Sequence, residues 1–182
     1  MRGNAFRGRQ GLILVGLAGL ALGWLGPVAQ EKDAWAPLQF LVGQWEGVGS
    51  GEPGEGGSGA SSFAFDLDRQ VLVRTNRAEY PAKPGEKAGI VHKDLLIVYR
   101  QASDGKFRAI YFDNEGHVIN YDVSFPSGQP SVVFESEASG KGPRFRLVYG
   151  IAPAGVLSVE FFIAPPGGEF KSYVKGLLKK KP

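Results

Sequence analysis

From Leu41 onward the chain repeats one local pattern: a run of six to ten residues rich in Val, Ile, Leu, Phe and Tyr, then a cluster of Gly, Pro, Ser, Asn or Asp. The runs are Leu41–Val48, Ser62–Leu67, Val71–Tyr80, Leu95–Arg100, Phe107–Phe112, Val118–Phe125, Ser131–Glu137, Phe145–Gly150, Gly155–Ile163 and Glu169–Lys175. Branched and aromatic side chains suit a pleated, half-buried surface, whereas the separating residues take up turn conformations readily. The separators are explicit at Ser103-Asp104-Gly105, Asn114-Glu115-Gly116, Pro126-Ser127-Gly128 and Pro165-Pro166-Gly167-Gly168. Ten short strands spaced roughly a dozen residues apart predict an all-β antiparallel barrel or sandwich, not alternating βαβ units. The 27 glycines and 12 prolines agree, because both residues are costly inside helices.

Period-two alternation tells which faces are buried. Phe63, Phe65 and Leu67 alternate with Ala64, Asp66 and Asp68. Ile119, Tyr121, Val123 and Phe125 alternate with Asn120, Asp122 and Ser124, and Phe145, Leu147 and Tyr149 with Arg144, Arg146 and Val148. Leu95-Leu96-Ile97-Val98-Tyr99 is apolar on both faces, so one side is free to cover another element or line a pocket. Ahead of the strands, Lys32–Leu41 suits a short helical turn with Asp33 as its N-cap and Trp35, Leu38 and Leu41 on one face.

Residues 1–30 read differently. Arg2, Arg7 and Arg9 precede the apolar run Gly11–Leu25, and Gly26, Pro27, Val28 and Ala29 follow it. This is the order of a secretory signal peptide with cleavage near Ala29 or Gln30. A run of about fifteen residues is short for a span, which needs about twenty. The expectation is a secreted or periplasmic domain over residues 31–182 with no stable membrane span after cleavage; an uncleaved N-terminal anchor is the alternative. Arg7 and Arg9 are separated by Gly8, so no adjacent twin-arginine pair is present.

The formal charge of +3 does not point to nucleic acid. Three of the 21 basic residues lie in the leader, leaving 18 against 18 acidic residues, without the basic excess that phosphate binding uses. Lys175, Lys179, Lys180 and Lys181 read as a solvated basic tail. The lack of cysteine excludes disulfides, thiolate chemistry, Cys-based metal sites and lipid attachment at a cleavage-site cysteine.

At Phe40-Leu41-Val42-Gly43-Gln44-Trp45-Glu46-Gly47 a helical turn leads into Gly-x-Trp on the first strand. This resembles the opening of calycin and lipocalin barrels, where the Trp plugs one end and the Gly lets the chain turn beside it. Gly43 and Trp45 are thus expected at a barrel end. With Gly49 added, the segment is similar to the uncharacterised family called domain of unknown function 1579 and, more distantly, to nitrobindin-like haem-binding barrels. The latter resemblance implies a haem-ligating histidine near the C-terminus. Here His92 and His117 are the only histidines, so no cofactor is expected.

Other chemistry is weaker. Gly49-x-Gly51-x-x-Gly54 matches a dinucleotide fingerprint as a string but is followed by more glycine and a strand instead of a helix. Gly56-Gly57-Ser58-Gly59-Ala60 lacks the final glycine of a nucleophile elbow. Two histidines do not make a metal site unaided, and Asp66 with Asp68 and Asp113 with Glu115 read as ordinary solvated carboxylates; no catalytic or metal-binding residue is assigned. The polar candidates for a ligand head group sit among apolar neighbours: Arg74, Arg146, Glu160 and Tyr173, of which the arginines and Tyr173 suit an anion. Three readings stay open: a carrier of a small hydrophobic or amphipathic ligand, an interaction module with a filled core, and an enzyme on a calycin-like scaffold.

Overall fold

The computed structural model describes residues 33–48, 57–82, 84–85, 87–137 and 142–182. The expected leader and the Gly49–Gly54 string lie outside the described residues. The unit Asp33–Pro182 contains a 3-10 helix (Ala36–Leu41), ten strands and one short 3-10 turn (Pro153–Gly155). They are β1 (Gly43–Val48), β2 (Ser58–Asp66), β3 (Val71–Tyr80), β4 (Ile90–Arg100), β5 (Phe107–Asp113), β6 (Val118–Ser124), β7 (Ser131–Ser136), β8 (Arg144–Ala152), β9 (Val156–Ala164) and β10 (Lys171–Lys180). Every strand pairs antiparallel with its sequence neighbour, and β1 pairs with β10, closing the sheet into a barrel. Closure gives every strand a neighbour on both sides, so no strand is left as an edge.

The strands form where the sequence places them, with three instructive differences. Leu67 was expected to face inward but is 67% exposed. It opens a turn in which Leu67, Asp68 and Arg69 all take positive φ, and the Asp66 carboxylate accepts the Leu67 N–H at 2.6 Å. A side-chain hydrogen bond to the local backbone thus ends the alternation one residue early. β2 and β4 start sooner than their apolar runs, at Ser58 and Ile90, because the ten-residue β3 supplies ladder partners out to Ser58↔Glu79 and Tyr80↔Ile90. The C-terminal lysines are solvated as expected, but on a strand and not a tail: Trp45↔Lys180 and Glu46↔Lys179 pair across the closing seam, and the Lys181 N–H donates to the Gln44 carbonyl at 2.8 Å.

One end of the barrel is filled. In the 3-10 helix the three-residue repeat stacks Trp35, Leu38 and Leu41 on one line, and all three are buried. Asp33 accepts the Trp35 N–H at 3.0 Å just outside the helix. Trp35 packs edge-on to Phe65 and Phe107, which in turn meets Phe125. Trp45 is buried beside them and donates its indole N–H to the Leu41 carbonyl at 2.7 Å. Gly43 has φ of +133°, a backbone conformation that residues with a side chain rarely adopt, so glycine suits the start of β1. Lys180 lays its ammonium 5.5 Å from the Trp45 ring.

Candidate functional site

Away from the helix the barrel opens into a cavity of about 720 Å³. This lies within the range of about 300–1,000 Å³ usual for small-molecule sites. Its walls differ. On β8, β9 and β10 the lining includes Phe145, Leu147, Val159, Phe161, Ile163 and Val174, with Tyr149 and Lys175 as its polar members. On β2 to β6 it includes Ser61, Arg74, Asn76, His92, Asp94, Tyr111, Asp113 and Tyr121, with Ala78 and Ile119 among them. Depth and polarity are linked along each strand. β3 runs from fully buried Leu72 through Arg74 and Asn76 towards Tyr80 at the mouth, and β4 runs back from His92 and Asp94 to Leu96 and Val98.

Strand pairing builds the polar wall. Ser61 stands opposite Asn76 and Asn76 opposite Asp94, so one row crosses three strands. The Ser61 hydroxyl donates to Asn76 Oδ1 at 2.6 Å, and Asn76 Nδ2 donates to Asp94 Oδ2 at 2.8 Å. Arg74 reaches Asp94 Oδ1 with Nη2 and the Tyr149 hydroxyl with Nη1. The Arg74 and Asp94 side chains are only 5% and 3% exposed, so the two charges neutralise each other inside the barrel. Two buried polar atoms on this wall have no partner among the described residues: Arg74 Nε and the Tyr121 hydroxyl.

Nearer the mouth, His92 on β4 ties its own strand to β5 and to the turn between β5 and β6. Its Nε2 lies 3.0 Å from the Tyr111 hydroxyl and 3.3 Å from Asp94 Oδ2, and its Nδ1 lies 2.9 Å from Glu115. Asp113 accepts the N–H groups of Glu115 at 3.0 Å and His117 at 2.9 Å, with the His117 ring at 2.8 Å. Burial pushes the Asp113 carboxyl up, but these hydrogen bonds outweigh it and hold the group below the usual carboxylate range. Burial raises the Tyr111 and Tyr121 phenols well above their ordinary value, against the opposing pull of Arg74, so both remain protonated donors at neutral pH. Tyr80 is raised by burial and by Tyr173 and Glu115 nearby. His92, Asp113 and Glu115 bring ligand-type atoms within 4.8 Å of one another, a combination able to hold a divalent cation, yet the same atoms are engaged with each other and with His117.

Of the residues singled out from sequence, Arg74 lies deep in the polar wall and Tyr173 at the mouth, half exposed and edge-on to Phe161 at 6.4 Å. Tyr173 sits where the β10 register shifts between Ser172 and Val174, a bulge that re-aims its side chain. Arg146 and Glu160 are not among the cavity-lining residues. β8 alternation turns Arg146 outward, 2.8 Å from Glu135 and over the Phe170 ring, and Glu160 lies 3.9 Å from Lys175. Arg74 is already paired with Asp94, so its charge is not free for an anionic ligand.

Sequence reasoning missed Asp94, Asn76 and Ser61. A signal existed: Asp94 is in step with Leu96 and Val98, and Asn76 with Arg74 and Leu72, on the faces that prove buried.

No family model matches the chain, and no curated protein matches it. Among solved structures, the crystal structure of Rv2717c from M. tuberculosis is similar, with a TM-score of 0.55 and 15% identity. The alignment covers 83% of this chain and 99% of that one. At that identity the likeness extends to the barrel fold.

Proposed function

We propose that this protein binds a small amphipathic molecule inside its barrel. The observation that carries the reading is the cavity of about 720 Å³ with one apolar and one polar wall. A ligand of this kind sets its polar group among Asn76, His92, Asp94 and Tyr111, while its apolar body meets Phe145, Leu147, Phe161 and Ile163. Ile90, Val91, Tyr173 and Leu177, four large apolar side chains exposed at the mouth, give such a ligand an apolar entry.

Two supports extend the reading. The basic-then-apolar leader favours export, so the ligand is met outside the cytoplasm. Gly43-x-Trp45 beneath a helical plug supports kinship with the calycin-like barrels and with the family called domain of unknown function 1579. The test is native mass spectrometry of the gently purified full chain, alongside titration with diphenylhexatriene, a hydrocarbon that fluoresces only in apolar surroundings. A co-purified small molecule or saturable fluorescence is the expected result. An empty protein that leaves the hydrocarbon dark overturns the reading and favours an interaction module.

A further inference from the structure

At the cavity mouth both histidines of the chain meet two carboxylates, an arrangement independent of any organic ligand in the barrel. Asp113, Glu115 and His117 stand at every second position through the turn from β5 to β6, and His92 lies on the adjoining β4. The Asn114 side chain pins that turn to β4: its Oδ1 accepts the Lys93 N–H at 2.7 Å, and its Nδ2 donates to the Val91 carbonyl at 3.0 Å. His92, Asp113 and Glu115 thereby bring ligand-type atoms within 4.8 Å of one another. His117 Nδ1 adds a fourth, 2.8 Å from Asp113 Oδ2 and 4.0 Å from Glu115 Oε2. Glu115 and His117 are exposed, so an ion reaches the group from solvent.

His92 separates this group from an ordinary acidic turn. A neutral imidazole has one N–H for its two ring nitrogens. Nε2 faces Asp94 Oδ2 at 3.3 Å and the Tyr111 hydroxyl at 3.0 Å, and Asp94 is itself held by Arg74 and Asn76. With the proton at Nε2, the Nδ1 lone pair faces the Glu115 carboxylate at 2.9 Å, and the two repel unless a proton or a metal ion joins them. A carboxylate behind a ligating imidazole is the usual device for fixing its tautomer and strengthening it as a ligand. Asp113 and Glu115 carry two negative charges, whereas Arg74 matches the charge of Asp94, so a divalent cation balances the group. The geometry points to a divalent-cation site at the cavity mouth, with His92 Nδ1, Asp113, Glu115 and His117 as ligands and Asp94 orienting His92. Two imidazoles with two carboxylates suit zinc or a neighbouring first-row ion over magnesium and calcium, which favour oxygen ligands.

The test is calorimetric titration of the full chain, stripped with a chelator, with zinc chloride at about pH 7.5. His92 and His117 are the only histidines and cysteine is absent, so zinc finds no imidazole or thiolate elsewhere in the chain. One saturable equivalent per chain is expected, and magnesium in about hundredfold excess should not displace it. Glu115→Gln, at an exposed side chain, and His92→Gln should each weaken zinc at least about tenfold. Zinc should also raise the Tm of the wild type more than that of either variant. If His92→Gln does not fold, Glu115→Gln decides alone. Absence of saturable binding, a zinc affinity unchanged in the folded variants, or displacement by magnesium overturns the site. Uptake of diphenylhexatriene by the barrel is read separately and stands or falls on its own.

Discussion

At the scale of single residues, the Arg74–Asp94 pair is the costliest feature of the barrel to disturb. Both side chains are nearly inaccessible, so removing one partner strands a buried charge. Asp94→Ala should lose about 3–5 kcal/mol of stability, read from denaturant unfolding; a loss below about 1 kcal/mol would mean that water already reaches the guanidinium. Asp113 makes a different prediction. Its pKa is lowered in the folded state, so its contribution is fully present above the unfolded-state value near 3.8 and is lost as pH falls through the lower folded value. Below about pH 4 the wild-type Tm should therefore fall more steeply than that of Asp113→Asn, and equal slopes would show that the His117 and Glu115 N–H groups do not favour the ionised form.

Among the elements, β10 separates what composition suggests from what topology requires. Its last residues, Leu177-Leu178-Lys179-Lys180, include two lysines that read as solvated, yet they supply the β1 partners that close the barrel. Leu178 is buried, and Lys180 covers the Trp45 ring with its stem while its charge stays near water. A chain that stops at Lys175 ends where the sequence places the end of the last strand, but leaves β1 with no β10 partner. It should lose cooperative thermal unfolding and associate through the open edges, seen as high-mass species by size-exclusion chromatography. A monomer with a sharp transition would show that the seam is dispensable.

For the molecule as a whole, the balance lies between a filled end and an open one. The aromatic cluster around Trp35 and Phe107 stabilises the barrel, so the other end can remain hollow. Filling it is the direct check. Val159→Trp, on the apolar wall, should abolish diphenylhexatriene fluorescence, raising the apparent Kd at least about tenfold, while keeping the β-type circular dichroism spectrum. Retained binding would move the probe's site outside the barrel.

The sequence by itself determined ten strands, their antiparallel order and the apolar faces of β6 and β8, because side-chain period and turn chemistry are local properties. It also determined the buried line of Trp35, Leu38 and Leu41, which follows from spacing alone. Only tertiary structure decided which polar residues meet. Ser61, Asn76, Asp94, Arg74 and Tyr149 come from β2, β3, β4 and β8, and their contacts depend on the register between strands. Register depends on ladder length and closure, quantities that no single segment contains. For the same reason Arg74 and Arg146, alike as arginines among apolar neighbours, have opposite surroundings. One is sealed inside against a carboxylate, and the other lies on the outer face over Phe170.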